Sequence, residues 1–109
     1  MKPTGIIVTT AFEVPGKEIS EYKGLVRGII VRSPTIFQGI FGGLNTIIGG
    51  KIHAYTEMCE QARGQAYDSL VEHATQMGAN AVIGARYDAS EVAVGATEVL
   101  CYGTAVIVR

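Results

Sequence analysis

The longest regular pattern in the chain is a stripe of apolar side chains between residues 52 and 77. Steps of three or four residues keep side chains on one face of a helix. Gly78 follows the stripe, and glycine readily adopts the left-handed conformation that ends helices. The pattern predicts an amphipathic helix over residues 52–77, whose apolar face consists of Ile52, Tyr55, Cys59, Ala62, Ala66, Leu70, Ala74 and Met77.

Four other segments have the β-branched and aromatic composition that is typical of strands. They cover residues 6–12, 19–32, 81–87 and 94–108, and residues 88–91 are predicted to be the loop between the last two. We expect strands one and two to form an antiparallel pair, and strands three and four to form another.

Proline and glycine residues predict local features of the first two strands. Pro15 presets φ and Gly16 supplies the positive φ of a type II turn after the first strand. Gly24 and Gly28 lie inside the second strand, where a glycine marks a bulge or a close approach of another backbone. A small residue is therefore expected at both positions for steric reasons.

The last predicted strand is apolar on both of its faces. Successive side chains of a strand point to opposite sides of a sheet. One face carries Val99, Cys101, Ala105 and Ile107, and the other carries Leu100, Tyr102, Val106 and Val108. A single helix can cover only one of these faces, so we expect a neighbouring subunit to cover the other.

A second unusual segment spans residues 34–50, which contain no charged side chain. Apolar residues recur there at helical spacing, which predicts a short apolar helix. Gly49 and Gly50 are predicted to form a hinge into the long helix. We expect the short helix to form an oligomer interface through Phe37, Gly39, Ile40, Phe41, Gly43 and Leu44.

Together these elements predict an α+β fold in a single domain of residues 1–109. An antiparallel sheet of about four strands would pack on one long helix, with the short apolar helix in addition. A chain of 109 residues is long enough to bury a core without disulfides or metals.

Charge changes this picture in two ways. Only 17% of the residues are charged, below the usual quarter or so, which favours a surface partly covered by another subunit. Nine basic and ten acidic residues give a formal net charge of −1. Because no basic stripe is visible, the sequence argues against a nucleic-acid partner.

Cys59 and Cys101 are the two cysteines of the chain. Two distant thiols without a signal peptide are typical of reduced cytoplasmic proteins rather than of a disulfide framework. We therefore expect a cytoplasmic protein. Both cysteines are expected to be small buried hydrophobic residues, and the five tyrosines are expected to be core or rim residues.

Several short motifs, taken in order, resemble the YbjQ-like family of small bacterial and archaeal proteins, which are described as heavy-metal-binding and are otherwise uncharacterised. The resemblance implies a dodecin-like α+β subunit that assembles into a ring of five. The motifs are the Thr9-Thr10 strand, Glu21-Tyr22-x-Gly24-x-Val26-x-Gly28, Gly49-Gly50, Ala54-Tyr55, residues 78–84 (Gly-Ala-Asn-Ala-Val-Ile-Gly) and residues 103–106 (Gly-Thr-Ala-Val).

The family description prompts a search for metal ligands. His53, Glu57 and Glu60 lie three or four residues apart, so they share a helix face and could approach one cation. The sequence contains no Cys-x-x-Cys, His-x-His or histidine-rich tract. A glutamate-rich helix face is more often simply solvated, so we expect no stoichiometric transition metal and no cofactor.

No catalytic or membrane motif is visible either. Cys59 and His73 are fourteen residues apart on one helix, too far to act as a nucleophile and its base. The uncharged segment is shorter than a membrane span and includes five glycines, and it lacks the basic face of an interfacial helix.

Three hypotheses follow. The leading one is a non-enzymatic homo-oligomer, a pentamer, that holds a small ligand between subunits. The alternatives are a heavy-metal-binding protein and an enzyme with its site at a subunit interface.

Overall fold

The computed structural model describes residues 5–32 and 49–109. These residues form one long helix and four strands, in agreement with the predicted α+β class. In chain order the elements are β1 (Ile7–Val8), β2 (Ile19–Arg32), α1 (Gly49–Gln76), β3 (Ala81–Ala93) and β4 (Ala96–Val108). The predicted short helix and its interface residues fall within residues 33–48, outside the described ranges.

The four strands form one mixed sheet in the order β1-β3-β4-β2. β4 pairs antiparallel with both β2 and β3, whereas β1 pairs parallel with β3. The prediction of a purely antiparallel sheet is therefore wrong, and so is the predicted pairing of strands one and two. β1 and β2 lie at opposite edges of the sheet, because β4 from the end of the chain occupies the place beside β2.

β3 and β4 form the hairpin that the sequence predicts, but its turn lies further along the chain than expected. Residues 88–91, predicted to be a loop, belong to β3 and pair with β4. The chain reverses at Val94 and Gly95, where Gly95 has a φ of 77°. The polar residues of this segment misled the prediction because they lie on an exposed part of the strand.

The end of α1 confirms the role predicted for Gly78. This residue has a φ of 82°. Its N–H donates to the carbonyl oxygen of Thr75 at 3.0 Å, and the N–H of Ala79 donates to the carbonyl oxygen of Ala74 at 3.1 Å. These two bonds form a Schellman motif, which satisfies the carbonyl groups of the last turn. The other end differs from the prediction, because α1 begins at Gly49 and the expected Gly49-Gly50 hinge is helical.

α1 packs against one face of the sheet through small and apolar side chains. The buried helix residues are Ala62, Ala66, Leu70, Val71 and Ala74. They meet Val26 of β2, Val82 and Ala85 of β3, and Cys101 and Ala105 of β4 in one core. The predicted apolar stripe is confirmed there, whereas Tyr55 and Cys59 nearer the start of α1 are exposed.

Gly24 and Gly28 confirm the predictions made for glycines of the second strand. Gly24 has a φ of 117° and follows a shift in the register with β4. Gly28 lies directly beneath α1, where an added Cβ would overlap the carbonyl oxygen of Ala66 and lie 2.6 Å from the backbone nitrogen of Leu70. The absence of a side chain at Gly28 therefore lets the helix backbone rest on β2.

The segment between β1 and β2 follows the edge of β3 before it turns away. The N–H of Ala85 donates to the backbone carbonyl oxygen of Thr9 at 2.9 Å, and the N–H of Gly84 donates to that of Ala11 at 2.8 Å. The predicted turn at Pro15 and Gly16 is confirmed, because Gly16 has a φ of 78° and the N–H of Lys17 donates to Val14 at 3.1 Å. β1 itself is much shorter than predicted, since only two residues pair regularly with β3.

Candidate functional site

A pocket of about 440 Å³ lies where the segment after β1 leaves the edge of β3. Three parts of the fold meet there: the helix, the β3–β4 hairpin and the N-terminal segment. Its lining residues are Val8, Thr9, Thr10, Tyr67, Ala85, Arg86, Tyr87 and Cys101. The pocket volume falls within the range that is typical of small-molecule sites.

Tyr87 and Cys101 form a polar pair inside this pocket. They are directly opposite each other on β3 and β4, and each affects the pKa of the other. Burial raises the pKa of the Cys101 thiol above its ordinary value, although the neighbouring Tyr87 hydroxyl opposes this shift. Burial also raises the pKa of the Tyr87 hydroxyl. Both groups are therefore neutral at physiological pH, and Cys101 is a poor nucleophile there.

Arg63 of α1 places a positive charge beside the same pair. Its guanidinium carbon lies 5.7 Å from the centre of the Tyr87 ring, within the range of a cation–π contact. Arg63 is one helical turn before Tyr67, so both side chains leave the same side of α1. The helix and the hairpin are thus joined at the pocket by an aromatic and cationic cluster.

A second feature is the face of the sheet that α1 does not cover. β2 presents four large apolar side chains on this face, which the register pairs with Val106, Thr104, Leu100 and Glu98 of β4. All four are exposed: Tyr22 by 67%, Leu25 by 65%, Ile29 by 46% and Val31 by 58%. We call these four residues the open face. On β4 this face is apolar too, as predicted, but Val106 and Val108 are buried there against Val14, Ala81 and Ile83 of the same subunit, so that part of the face is covered without a neighbouring subunit.

The predicted metal ligands are only partly brought together. His53 Nε2 lies 3.2 Å from Glu57 Oε1, and both side chains are largely exposed. Across residues 5–32 and 49–109, no three His, Cys, Asp or Glu side chains are placed so that they could hold one metal ion. Glu60 therefore does not join His53 and Glu57 in a ready site within the described ranges, and the expectation of no stoichiometric transition metal stays a prediction.

The predicted interface residues and the cysteines have different outcomes. Phe37, Gly39, Ile40, Phe41, Gly43 and Leu44 lie outside the described residues, so their interface stays a prediction. Cys101 is buried, which agrees with its expected role as a small core residue. Cys59 is exposed on α1, in contrast to that expectation.

Sequence reasoning missed the pocket residues, above all Arg63, Tyr67 and Tyr87. The tyrosines were expected to be core or rim residues, and Arg63 attracted no hypothesis. The i, i+4 spacing of Arg63 and Tyr67 was the signal available, but their approach to Tyr87 depends on how α1 crosses β3.

No helix within the described ranges combines the length and apolar character needed to cross a lipid bilayer.

Comparisons with known proteins agree with this fold. A crystal structure of a protein of unknown function from Pediococcus pentosaceus, a member of the DUF74 family, superimposes with a TM-score of 0.64. The comparison covers 97% of this chain and 100% of that one at 21% sequence identity, so it supports the fold alone.

Sequence relatives are closer. A UPF0145 protein of Legionella pneumophila strain Lens is 55% identical over 103 residues, which cover 94% of this chain and 98% of the relative. A UPF0145 protein of Chromobacterium violaceum is 56% identical over 100 residues, covering 92% and 86%. The YbjQ family model, described as "Putative heavy-metal-binding", matches residues 6–109. The chain therefore belongs to the YbjQ family.

Proposed function

We propose that this protein is a non-enzymatic subunit of a closed homo-oligomer, a ring of five, which holds a small ligand between its subunits. The observation that carries the proposal is the open face. Patches of several hundred Å² of apolar surface are uncommon on soluble monomers and mark interaction sites. Fully burying each of these side chains stabilises a contact by about 1.5–3 kcal/mol.

The edges of the sheet support assembly by identical copies. β2 is an edge strand of 14 residues, and its outer side is paired with no strand of the described chain. On the opposite edge, β1 pairs with β3 at Ala81 and Val82, which leaves the later part of β3 without a strand partner in the described ranges. Such edges readily accept a further strand.

These two edges belong to different strands, so a contact between them would join unlike surfaces of two copies. Contacts of this head-to-tail kind produce rings when the rotation closes. The subunit number of five comes from the resemblance to the YbjQ-like family, and the ligand between subunits is part of the proposal itself. The low charged fraction of the sequence agrees with a surface that is partly covered in this way.

The test compares two charged substitutions of exposed apolar residues. Leu25→Asp places a carboxylate in the middle of the open face, which also carries Arg27, and burial against a second copy would remove the hydration of that carboxylate. Val94→Asp makes the same kind of change at the hairpin tip, where the residue is fully exposed. Size-exclusion chromatography with light scattering measures the mass of each variant, and far-UV circular dichroism checks the subunit fold.

We expect the wild type and Val94→Asp to have several times the subunit mass of 11.5 kDa. Leu25→Asp should shift the population to smaller species while the circular dichroism spectrum is retained. A wild type that is a stable monomer at micromolar concentration would overturn the proposal, and an unchanged mass of Leu25→Asp would remove the open face from the interface.

Heavy-metal binding is the second candidate function, and the family description together with the contact between His53 and Glu57 favours it. Elemental analysis after equilibration with zinc, copper or nickel distinguishes the two candidates. The leading proposal requires recovery of well under one ion per subunit. Recovery near one ion, lost in His53→Ala, would favour the metal-binding function.

A further inference from the structure

The pocket beside Tyr87 has the properties of a binding site, and its described lining residues come from the helix, the β3–β4 hairpin and the N-terminal segment. Two tyrosine rings from different elements, Tyr67 of α1 and Tyr87 of β3, border the same space. Aromatic rings favour planar ligands that stack on them or meet them edge to face.

The inner part of the pocket is apolar and uncharged. Val8 and Ala85 contribute aliphatic groups, and Cys101 contributes a thiol that is buried and neutral. The hydroxyl of Thr9 accepts a bond from the N–H of Ala11 at 3.0 Å, which leaves its own O–H able to donate to a ligand. The wall therefore suits the ring of a ligand, with a hydrogen-bond donor at one side.

The described lining of the pocket carries positive charge. Arg86 is the only ionised residue among the described lining residues, and none of them is acidic. The guanidinium of Arg63 stands against the Tyr87 ring at 5.7 Å. Guanidinium groups bind carboxylates through paired, charge-assisted hydrogen bonds. The arrangement favours a ligand with an anionic group next to its ring.

From these observations we propose that the pocket binds a small aromatic carboxylate. The ring of the ligand would lie between Tyr67 and Tyr87, and its carboxylate would pair with Arg63 at the edge. Benzoate is the simplest probe of this chemistry. Benzamide has nearly the same shape without the charge, so the pair separates recognition of the ring from recognition of the anion.

The experiment measures binding of both probes to the full-length protein by ligand-observed NMR titration. Arg63→Gln removes the charge beside Tyr87, and Arg27→Gln is its matched control. Arg27 is also exposed, but the register places it opposite Tyr102 on the side of the sheet away from α1. Tyr87→Leu removes the aromatic wall, and Tyr22→Leu makes the same change on the open face.

We expect saturable binding of benzoate that is at least about tenfold tighter than that of benzamide, a ratio typical of one charge-assisted contact. Arg63→Gln should abolish this preference, whereas Arg27→Gln should retain it. Tyr87→Leu should lower the affinity for both probes, and Tyr22→Leu should leave both affinities unchanged. Because benzoate and benzamide are compared in each variant, a general loss of structure would not imitate the result for Arg63.

Three results would overturn the proposal: no saturable binding of benzoate by the wild type, equal affinity for benzoate and benzamide, or equal benzoate binding by Arg63→Gln and the wild type. The outcome is independent of assembly, since Leu25→Asp should bind benzoate as the wild type does. Loss of probe binding with normal assembly would contradict the pocket alone, and loss of assembly with normal probe binding would contradict the proposed oligomer alone.

Discussion

One face of β2 is buried against α1, whereas the large apolar side chains of its other face are exposed. Toward α1 the strand presents Val26 and Gly28, both buried, and the helix backbone rests on the glycine. On the other side, Leu25 and Ile29 are exposed although their side chains are larger. The larger apolar side chains of β2 therefore lie, together with Arg27, on the side that α1 does not cover.

This difference shows that apolar content alone does not locate the core of the subunit. The face packed against α1 is built for a close approach of two backbones, and small residues there allow it. The open face has large side chains without a described partner, which is the composition of a contact surface rather than of a solvated sheet. Substitutions on each face test whether one face packs the helix and the other forms a contact between subunits.

The largest effect should come from Gly28→Val. The new side chain would collide with the backbone of α1 at Ala66 and Leu70, and a backbone cannot move aside as a flexible side chain can. We expect the free energy of unfolding to fall by more than about 3 kcal/mol, at the upper end for overpacked sites. Urea unfolding followed by circular dichroism measures this change.

Gly64→Ala is the matched control, because a Cβ added at Gly64 of α1 meets no atom within 4 Å. Alanine should stabilise this helix position by about 1 kcal/mol. The two glycine substitutions should therefore have opposite signs. A tolerated Gly28→Val would show that α1 does not rest on β2 as described.

The next largest effect is the difference in stability loss between truncating a leucine of the core and truncating one of the open face. Leu70→Ala removes a fully buried side chain from the core beneath α1, so we expect a loss of about 2–5 kcal/mol in the free energy of unfolding. Leu25→Ala on the open face should change subunit stability by no more than about 0.5 kcal/mol at dilutions that separate subunits. Denaturant unfolding of each variant over a dilution series makes the comparison.

At concentrations that favour assembly, Leu25→Ala should additionally lower the apparent stability, because a contact that forms only in the folded state stabilises it by mass action. If the deficit of Leu25→Ala does not depend on protein concentration, the open face is not an interface. If Leu70→Ala costs no more than Leu25→Ala, the contrast between the two faces fails.

The smallest effect concerns pH and Cys101, which lies on the face covered by α1. In the unfolded chain the thiol has its ordinary pKa, about 8.5. Because burial raises the pKa in the folded state, the unfolded chain binds fewer protons between the two values, so stability falls as the pH rises. The contribution is complete below about pH 8.5 and is lost as the pH rises through the raised value.

Urea unfolding at increasing pH should therefore show a steeper loss of stability for the wild type than for Cys101→Ala. Cys59→Ala is the control and should behave as the wild type does, since Cys59 is exposed. Alkylation provides an independent check, with one thiol modified in the native protein and two after unfolding. Equal pH profiles for the wild type and Cys101→Ala would contradict the assigned role of burial.

Features that depend on neighbouring residues could be predicted from the sequence. The long helix, its end at Gly78 and the turn at Pro15 and Gly16 follow from spacing and backbone preferences that act over a few residues. Gly28 could be assigned a bulge or a close backbone approach, because a glycine inside an apolar strand marks one of the two. Each of these features is present in the structure.

Features that depend on distant residues could not be predicted in the same way. Whether β2 pairs with β1 or with β4 is decided by the packing of the whole sheet, and nothing near residue 19 reports it. The pocket is a similar case, because Tyr67 and Tyr87 are brought together only by the crossing of α1 over β3. By contrast, the contact between His53 and Glu57 follows from their i, i+4 spacing on α1, which is local and visible in the sequence.

The strand order has a consequence for the order of folding. β4 lies between β3 and β2, yet it is synthesised after the other three strands. During translation β2 therefore lacks its partner strand β4 until residues 96–108 have left the ribosome. Pairings between distant segments form slowly, and unpaired apolar strands are prone to aggregation. The β3–β4 hairpin is the more local pairing and can form without β2, whereas β2 depends on β4 for its place in the sheet.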